Sequence, residues 1–158
     1  MEILGVDEKL TGGDTSWRER LVEEPEAIAS VLKQARRVAV IGIKPEIAGG
    51  PAYYVPQYLQ AHGYEIIPVP VYFPDITEIL GEPVHRELHT IDGPIDLVVL
   101  FRRSPDVAQH VDEIIAARPR AVWMQLGIAN EEAAEALARA GILVVQDRCT
   151  KVEHQQLR

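Results

Sequence analysis

The chain carries one cysteine, Cys149, in 158 residues. That excludes an internal disulfide framework and a structural zinc site built on several thiolates. No apolar run approaches the ~20 residues that a membrane-spanning helix needs. Residues 1–13 include Glu2, Asp7 and Glu8 and have no apolar core, so they do not read as a signal peptide. Positive charge is also short, with 16 Lys and Arg against 24 Asp and Glu, a formal net charge of −8. Such a balance argues against a general binder of nucleic acid or anionic membrane, although a local basic site can persist in an acidic protein. A cytoplasmic location is expected. The rest of the composition is globular, with 47% hydrophobic and 25% charged residues. The length suits one domain with a sizeable core. Residues 1–14 read as a loose arm and 15–158 as that single domain.

The dinucleotide fingerprint G-x-G-x-x-G is missing as well. The apolar run Val38 to Ile41 leads instead into Gly42, then Ile43 and Lys44, then Gly49-Gly50-Pro51 and a helix. Around this unit, strands alternate with helices. Ser16 to Glu19 form a capping-box pattern, so a short helix should follow. Pro25 suits the first turn of a second helix, with Ile28, Ala29, Leu32 and Ala35 on one face. Strands are expected over 37–42, 64–71, 95–101, 121–125 and 142–146 from their β-branched, apolar runs. Pro51 starts a helix with Tyr54, Val55, Tyr58 and Leu59 as its core stripe, ended by Gly63, and Pro56 inside it can kink it. Ser104-Pro105 reads as a cap and first helical residue for a helix reaching Ala117, and Asn130 caps an alanine-rich one that ends before Gly141. Residues 72–93, rich in Pro and Gly and weak in periodicity, read as a long loop with short pieces of structure. The fold class is α/β, a three-layer, doubly wound parallel sheet of about five strands with N-terminal helices.

In such sheets ligands bind beyond the carboxyl ends of the strands, at the point where strand order reverses. Those ends are Gly42-Ile43-Lys44, Pro70-Val71, Phe101-Arg102-Arg103-Ser104, Gln125-Leu126-Gly127 and Asp147-Arg148-Cys149. Gly50 presents backbone N–H groups at a helix start, and Lys44 adds a charge. Both favour phosphate, although the same glycines would also serve a plain tight turn. Arg102 and Arg103 form a second anion-seeking spot, unless they pair with Asp106, Asp112 or Glu113 at the surface. An NAD enzyme usually places an acid at the end of its second strand. Here Val69, Pro70 and Val71 stand there, Glu65 is at the wrong end and Asp75 comes too late. Cys149 and His154 could suggest a metal or a thiol–imidazole pair. Zinc lacks enough ligands, and a lone cysteine at a strand end is more often a packed residue, so no catalytic and no metal-binding residue is expected. His62, His85, His89 and His110 read as surface or packing residues.

Taken together, the segments "VAVIGIKPEIAGGPAYYVPQYLQAHGYEIIPVPV", "ILGEPVHREL", "VVLFRRSPDV" and "VWMQLGIANEEAAEALARAGILVVQDRCTKVEH" resemble the stand-alone bacterial CoA-binding domain proteins. That family is similar to the N-terminal CoA-binding domain of the succinyl-CoA synthetase α subunit. The resemblance covers roughly residues 25–154. It implies a Rossmann-like fold that takes coenzyme A or an acyl-CoA in place of a dinucleotide. By position it implies contacts from Gly42, Ile43, Lys44, Gly50, Val69, Pro70, Val71, Phe101, Arg102, Arg103, Ser104, Val107, Gln125, Leu126 and Gly127. Pro70, Val71, Phe101 and Val107 would line an apolar path for the pantetheine arm. The synthetase's phosphohistidine and nucleotide-grasping domains have no counterpart in this sequence, so a binding module without complete ligase machinery is expected, with a separate protein partner or homo-oligomer left open. The alternative is an NAD(P)-binding oxidoreductase or redox sensor.

Overall fold

β-branched runs build the sheet. The computed structural model describes residues 15–157. In chain order the elements are α1 (Pro25–Gln34), β1 (Arg37–Ile41), α2 (Pro51–Ala61), β2 (Glu65–Val69), β3 (Glu78–Ile79), β4 (Glu82–Pro83), β5 (Leu97–Leu100), α3 (Val111–Ala117), β6 (Ala121–Met124), α4 (Glu131–Arg139), β7 (Leu143–Val145) and α5 (Thr150–Gln155). Short 3-10 turns occupy Ser16–Arg20, Glu46–Ala48, Leu88–Thr90 and Ser104–His110. The main sheet has five strands in the order β2-β1-β5-β6-β7, all parallel. β3 and β4 form a small antiparallel hairpin, one of the short pieces of structure in the long loop expected over 72–93.

Successive strand residues face opposite sides, and here both sides are buried. Val38, Val40, Leu97, Val99, Trp123 and Val145 meet Ile28 and Leu32 of α1 and Val55 and Leu59 of α2. Ala39, Ile41, Val98, Leu100, Val122 and Met124 meet Trp17, Ile114 of α3 and Leu137 of α4. The result is the three-layer α/β architecture read from the alternation of elements.

Several expectations shift at element ends. Thr15 rather than Ser16 stands at the cap position of the first helix, makes no side-chain cap bond, and the helix is a 3-10 turn. The expected stripe of α2 is misphased. Ala52, Val55, Pro56 and Leu59 are buried at the i, i+3, i+4, i+7 spacing with Tyr53 beside them, while Tyr54 is exposed and Tyr58 only partly covered. Ser104 is not a cap either. Arg103 holds that place, and the segment starts as a 3-10 turn before becoming α3 at Val111. Asn130 caps as expected, its Oδ1 accepting the Ala133 N–H at 2.9 Å. The expected arm, residues 1–14, lies outside the described residues.

Helix α5 was not anticipated. It packs on α1 and α2, and its anchor is Tyr58, whose hydroxyl lies 2.8 Å from His154 Nδ1. The same tyrosine stacks on His62, with ring centroids 4.0 Å apart, and its carbonyl accepts from His62 Nδ1 at 2.8 Å. Burial, and secondarily the neighbouring His62, hold the His154 imidazole below its ordinary pKa of 6.5. The folded state therefore binds fewer protons there than the unfolded chain. Stability from this group is present above 6.5 and falls as pH drops from 6.5 through the lowered folded value, below which it levels off. His154→Gln is expected to flatten that part of the pH dependence. Urea midpoints of both proteins across the mildly acidic range check it, and parallel curves would refute it.

Candidate ligand site at the strand ends

The chain leaves β1 toward β2 on one side and returns to β5 on the other, so the order reverses between β1 and β5. Gly42 lies at that point with φ +88°. Its N–H donates to Val69 O at 2.9 Å, and the Phe101 N–H donates to Ile41 O at 2.9 Å. A Cβ on Gly42 would overlap the Phe101 carbonyl oxygen, so only glycine permits this approach.

The first loop then divides by burial. Ile43 and Pro45 are buried, while Lys44 is exposed. Gly49 and Gly50 have φ +66° and +78°, and Gly50 caps α2. Pro56 explains how this loop is fastened. Lacking an N–H, it leaves the carbonyl of Ala52, four residues earlier, without its helical donor. That carbonyl accepts the Lys44 N–H at 3.2 Å instead. Ile47, 92% exposed, projects from the same loop.

At the end of β2, Val69 and Pro70 are buried, and Val71 and Tyr72 are exposed. Arg86 pins this segment. Its guanidinium donates to the carbonyls of Pro70 at 3.3 Å, Tyr72 at 2.9 Å, Phe73 at 2.6 Å and Ile76 at 3.2 Å. Phe73 adopts the left-handed φ of +61° within the clamp.

The two arginines after β5 part company. Arg102 is buried and bonded to His110 and Gln109, with the Tyr72 hydroxyl at the edge of reach. Arg103 is 79% exposed in its side chain and pairs with Asp106 at 3.5 Å, a contact that solvent weakens. Phe101 is half-buried. Val107 is wholly buried in the core, so it supports the site and cannot line an apolar path, against expectation.

Across β6 and β7 the ends are tied by polar bonds. Gln125 is buried, and its amide exchanges bonds with Thr150, Nε2 to Oγ1 at 2.9 Å and Oε1 from the Thr150 N–H at 3.2 Å. The Gly127 N–H donates to Asp147 Oδ1 at 2.6 Å. The Ser104 Oγ accepts the Ala129 N–H at 3.1 Å, and Asn130 Nδ2 donates to the Ser104 carbonyl at 2.9 Å. Leu126, 71% exposed, points out of this braced edge. Cys149 is half-buried and packs against the α1–α2 side of the core.

The edge of the sheet thus presents Lys44, the Gly50 helix start and Arg103 beside exposed Ile47, Val71, Tyr72 and Leu126. Ile43, Val69, Pro70 and Val107 back it, and Arg102, Ser104, Gln125 and Gly127 are bonded within the protein. The family model for the CoA binding domain matches residues 36–155. The chain belongs to the CoA-binding domain family. It is 38% identical over 129 residues to the uncharacterized protein YneT of Bacillus subtilis, covering 80% of this chain and 91% of that protein. The structure of cell-free ID.343 from Thermus thermophilus is similar at 36% identity and TM-score 0.78, over 86% of this chain and 100% of that one. The dinucleotide-forming acetyl-coenzyme A synthetase 1 of Ca. Korarchaeum cryptofilum shares the fold, at 16% identity and TM-score 0.57, with 68% of this chain matching 25% of that one.

Sequence reasoning passed over three residues of this CoA-binding domain. Arg86 and Thr150 carried no local signal, because their partners are 10 to 25 positions away. His110 was taken for a surface or packing residue, yet it lies between Arg102 and Glu113. His89 is exposed and lies beside Glu87, and His85 is partly buried with its Nδ1 2.8 Å from Thr90 Oγ1. Among the described residues no cluster of three or more His, Cys, Asp or Glu could hold a metal ion, and no helix is long and apolar enough to cross a membrane.

Gly42→Ala is expected to destabilise the domain by at least ~2 kcal/mol, because it combines an unfavourable φ with a backbone overlap. Chemical denaturation checks this, and a loss under ~0.5 kcal/mol, the range of ordinary surface changes, would show that the strands can separate without cost.

Proposed function

We propose that this chain binds coenzyme A or an acyl-CoA across the β1–β5 crevice, as a binding module that lacks complete ligase machinery. One observation carries the reading beyond family membership: cationic or phosphate-seeking groups and bare apolar side chains share the same sheet edge. Lys44, the α2 start at Gly50 and Arg103 suit the phosphates. Val71, Tyr72, Phe101 and Leu126 offer apolar surface to the pantetheine arm. CoA is a molecule of that mixed character. The pinned segment after β2 supports the choice over NAD, since Val69, Pro70 and Val71 stand where a ribose-binding acid would be needed. Cys149 has a packing role in this reading, and His154 is engaged by Tyr58. A cytoplasmic setting, where CoA is available, goes with it.

Thermal unfolding with CoA, acetyl-CoA, NAD, NADP and ATP tests the assignment. CoA at a hundredfold excess over its dissociation constant is expected to stabilise by ~2.7 kcal/mol. Equal or greater protection by NAD would reverse the ligand assignment. Cys149→Ser is expected to leave CoA affinity within a factor of about three, since the change lies within ordinary substitution effects. Acyl-CoA hydrolysis by the wild type that vanishes in folded Cys149→Ser would make the chain an enzyme.

A further inference from the structure

Arg102 is 9% exposed, and a buried guanidinium needs its charge compensated. Its hydrogen-bond partners are neutral groups. Nε donates to His110 Nε2 at 3.1 Å, Nη2 to Gln109 Oε1 at 3.2 Å, and Nη1 lies 3.5 Å from the Tyr72 hydroxyl. Among the described residues Arg102 makes no ion pair. Negative charge reaches it at second hand. His110 Nδ1 lies 2.9 Å from Glu113 Oε2, and Glu113 Oε1 accepts the Leu88 N–H at 3.2 Å. Because a guanidinium N–H can only donate, His110 Nε2 is the acceptor, and the ring's single proton sits on Nδ1, directed at Glu113. The Leu88 amide fixes the carboxylate, the carboxylate fixes the ring, and the ring fixes the guanidinium.

The place matters as much as the charge. A Cβ on Gly42 would come within 3.4 Å of Arg102 Cδ, so the arginine stem runs along the point where strand order reverses. We propose that Glu113 and His110 are positioning residues that hold Arg102 as an incompletely neutralised cation at the β1–β5 crevice, where a phosphate group of CoA completes its charge. The inference rests on the CoA reading above and adds two residues to it that touch no ligand. The competing role is a plain brace for the Ser104–His110 turn.

A double-mutant cycle on CoA affinity, measured by calorimetry, separates the two. His110→Ala is expected to weaken CoA about tenfold, the scale of coupling within one hydrogen-bonded network, and to cost nothing further in the Arg102→Ala background. His110→Gln offers an amide oxygen to Arg102 Nε and is expected to recover most of that loss. Should His110→Ala fail to fold, Glu113→Gln serves, since it removes the charge at nearly the same size, while its one amide oxygen can accept from only one of the Leu88 N–H and the His110 Nδ1–H. It is expected to weaken CoA about threefold, again only when Arg102 is present. Losses that add to those of Arg102→Ala, or unchanged affinity in every folded variant, would overturn the relay and leave a brace. Inorganic phosphate that binds as tightly as CoA, and needs Arg102 to do so, would overturn the assignment of the phosphate to CoA. Wild-type protein that fails to bind CoA at all would reject the functional reading and this inference with it.

Discussion

Two backbones meet at Gly42 with no space for a side chain between them. This contact between the end of β1 and the Phe101 carbonyl brings the first loop and the Arg102 stem to the same point of the sheet. The loop is then held by a second backbone device. Pro56 frees the Ala52 carbonyl, and the Lys44 N–H takes it. A residue that ordinarily weakens a helix here fastens the loop that precedes it. Lys44 owes its outward position to a buried neighbour on each side, Ile43 and Pro45.

The other loops are braced by bonds that skip far along the chain. Gln125 meets Thr150, Gly127 meets Asp147, and Ser104 meets Ala129 and Asn130. The Gln125–Thr150 bonds satisfy polar groups buried away from water, and each of these ties joins one strand end to another. The edge is braced where polar groups face inward, and the side chains left outside it include Lys44, Arg103 and a few large apolar ones, with Glu46 and Asp147 also exposed.

The strands and the sheet's parallel, doubly wound character were legible because burial on both faces demands near-continuous apolar runs. Asn130 was legible because a cap is a local event, completed within three residues. Phase was harder. Tyr53 and Tyr54 are indistinguishable by hydropathy, and the helix start at Pro51 decided which one turned inward. Arg102 and Arg103 posed the same problem. Adjacent residues leaving a strand point to opposite sides, so one guanidinium is buried and its neighbour is bathed in solvent. Nothing local marks which is which. Arg86, His110 and Thr150 were out of reach for another reason, since each acts through a partner that only the finished topology supplies.

The borders of the sheet have a consequence for self-association. Leu21 bridges in parallel to Val144, and the Val22 N–H donates to the Val144 carbonyl at 2.8 Å, so β7 is already occupied along its outer side at that residue. At the opposite border the Pro68 carbonyl accepts the His85 N–H at 2.9 Å, and Pro68 itself has no N–H to offer. Both margins are thus interrupted near their middles, which is how natural sheets resist stacking edge to edge into fibrils. A lengthening ribbon of strands shared between copies is therefore disfavoured from the start.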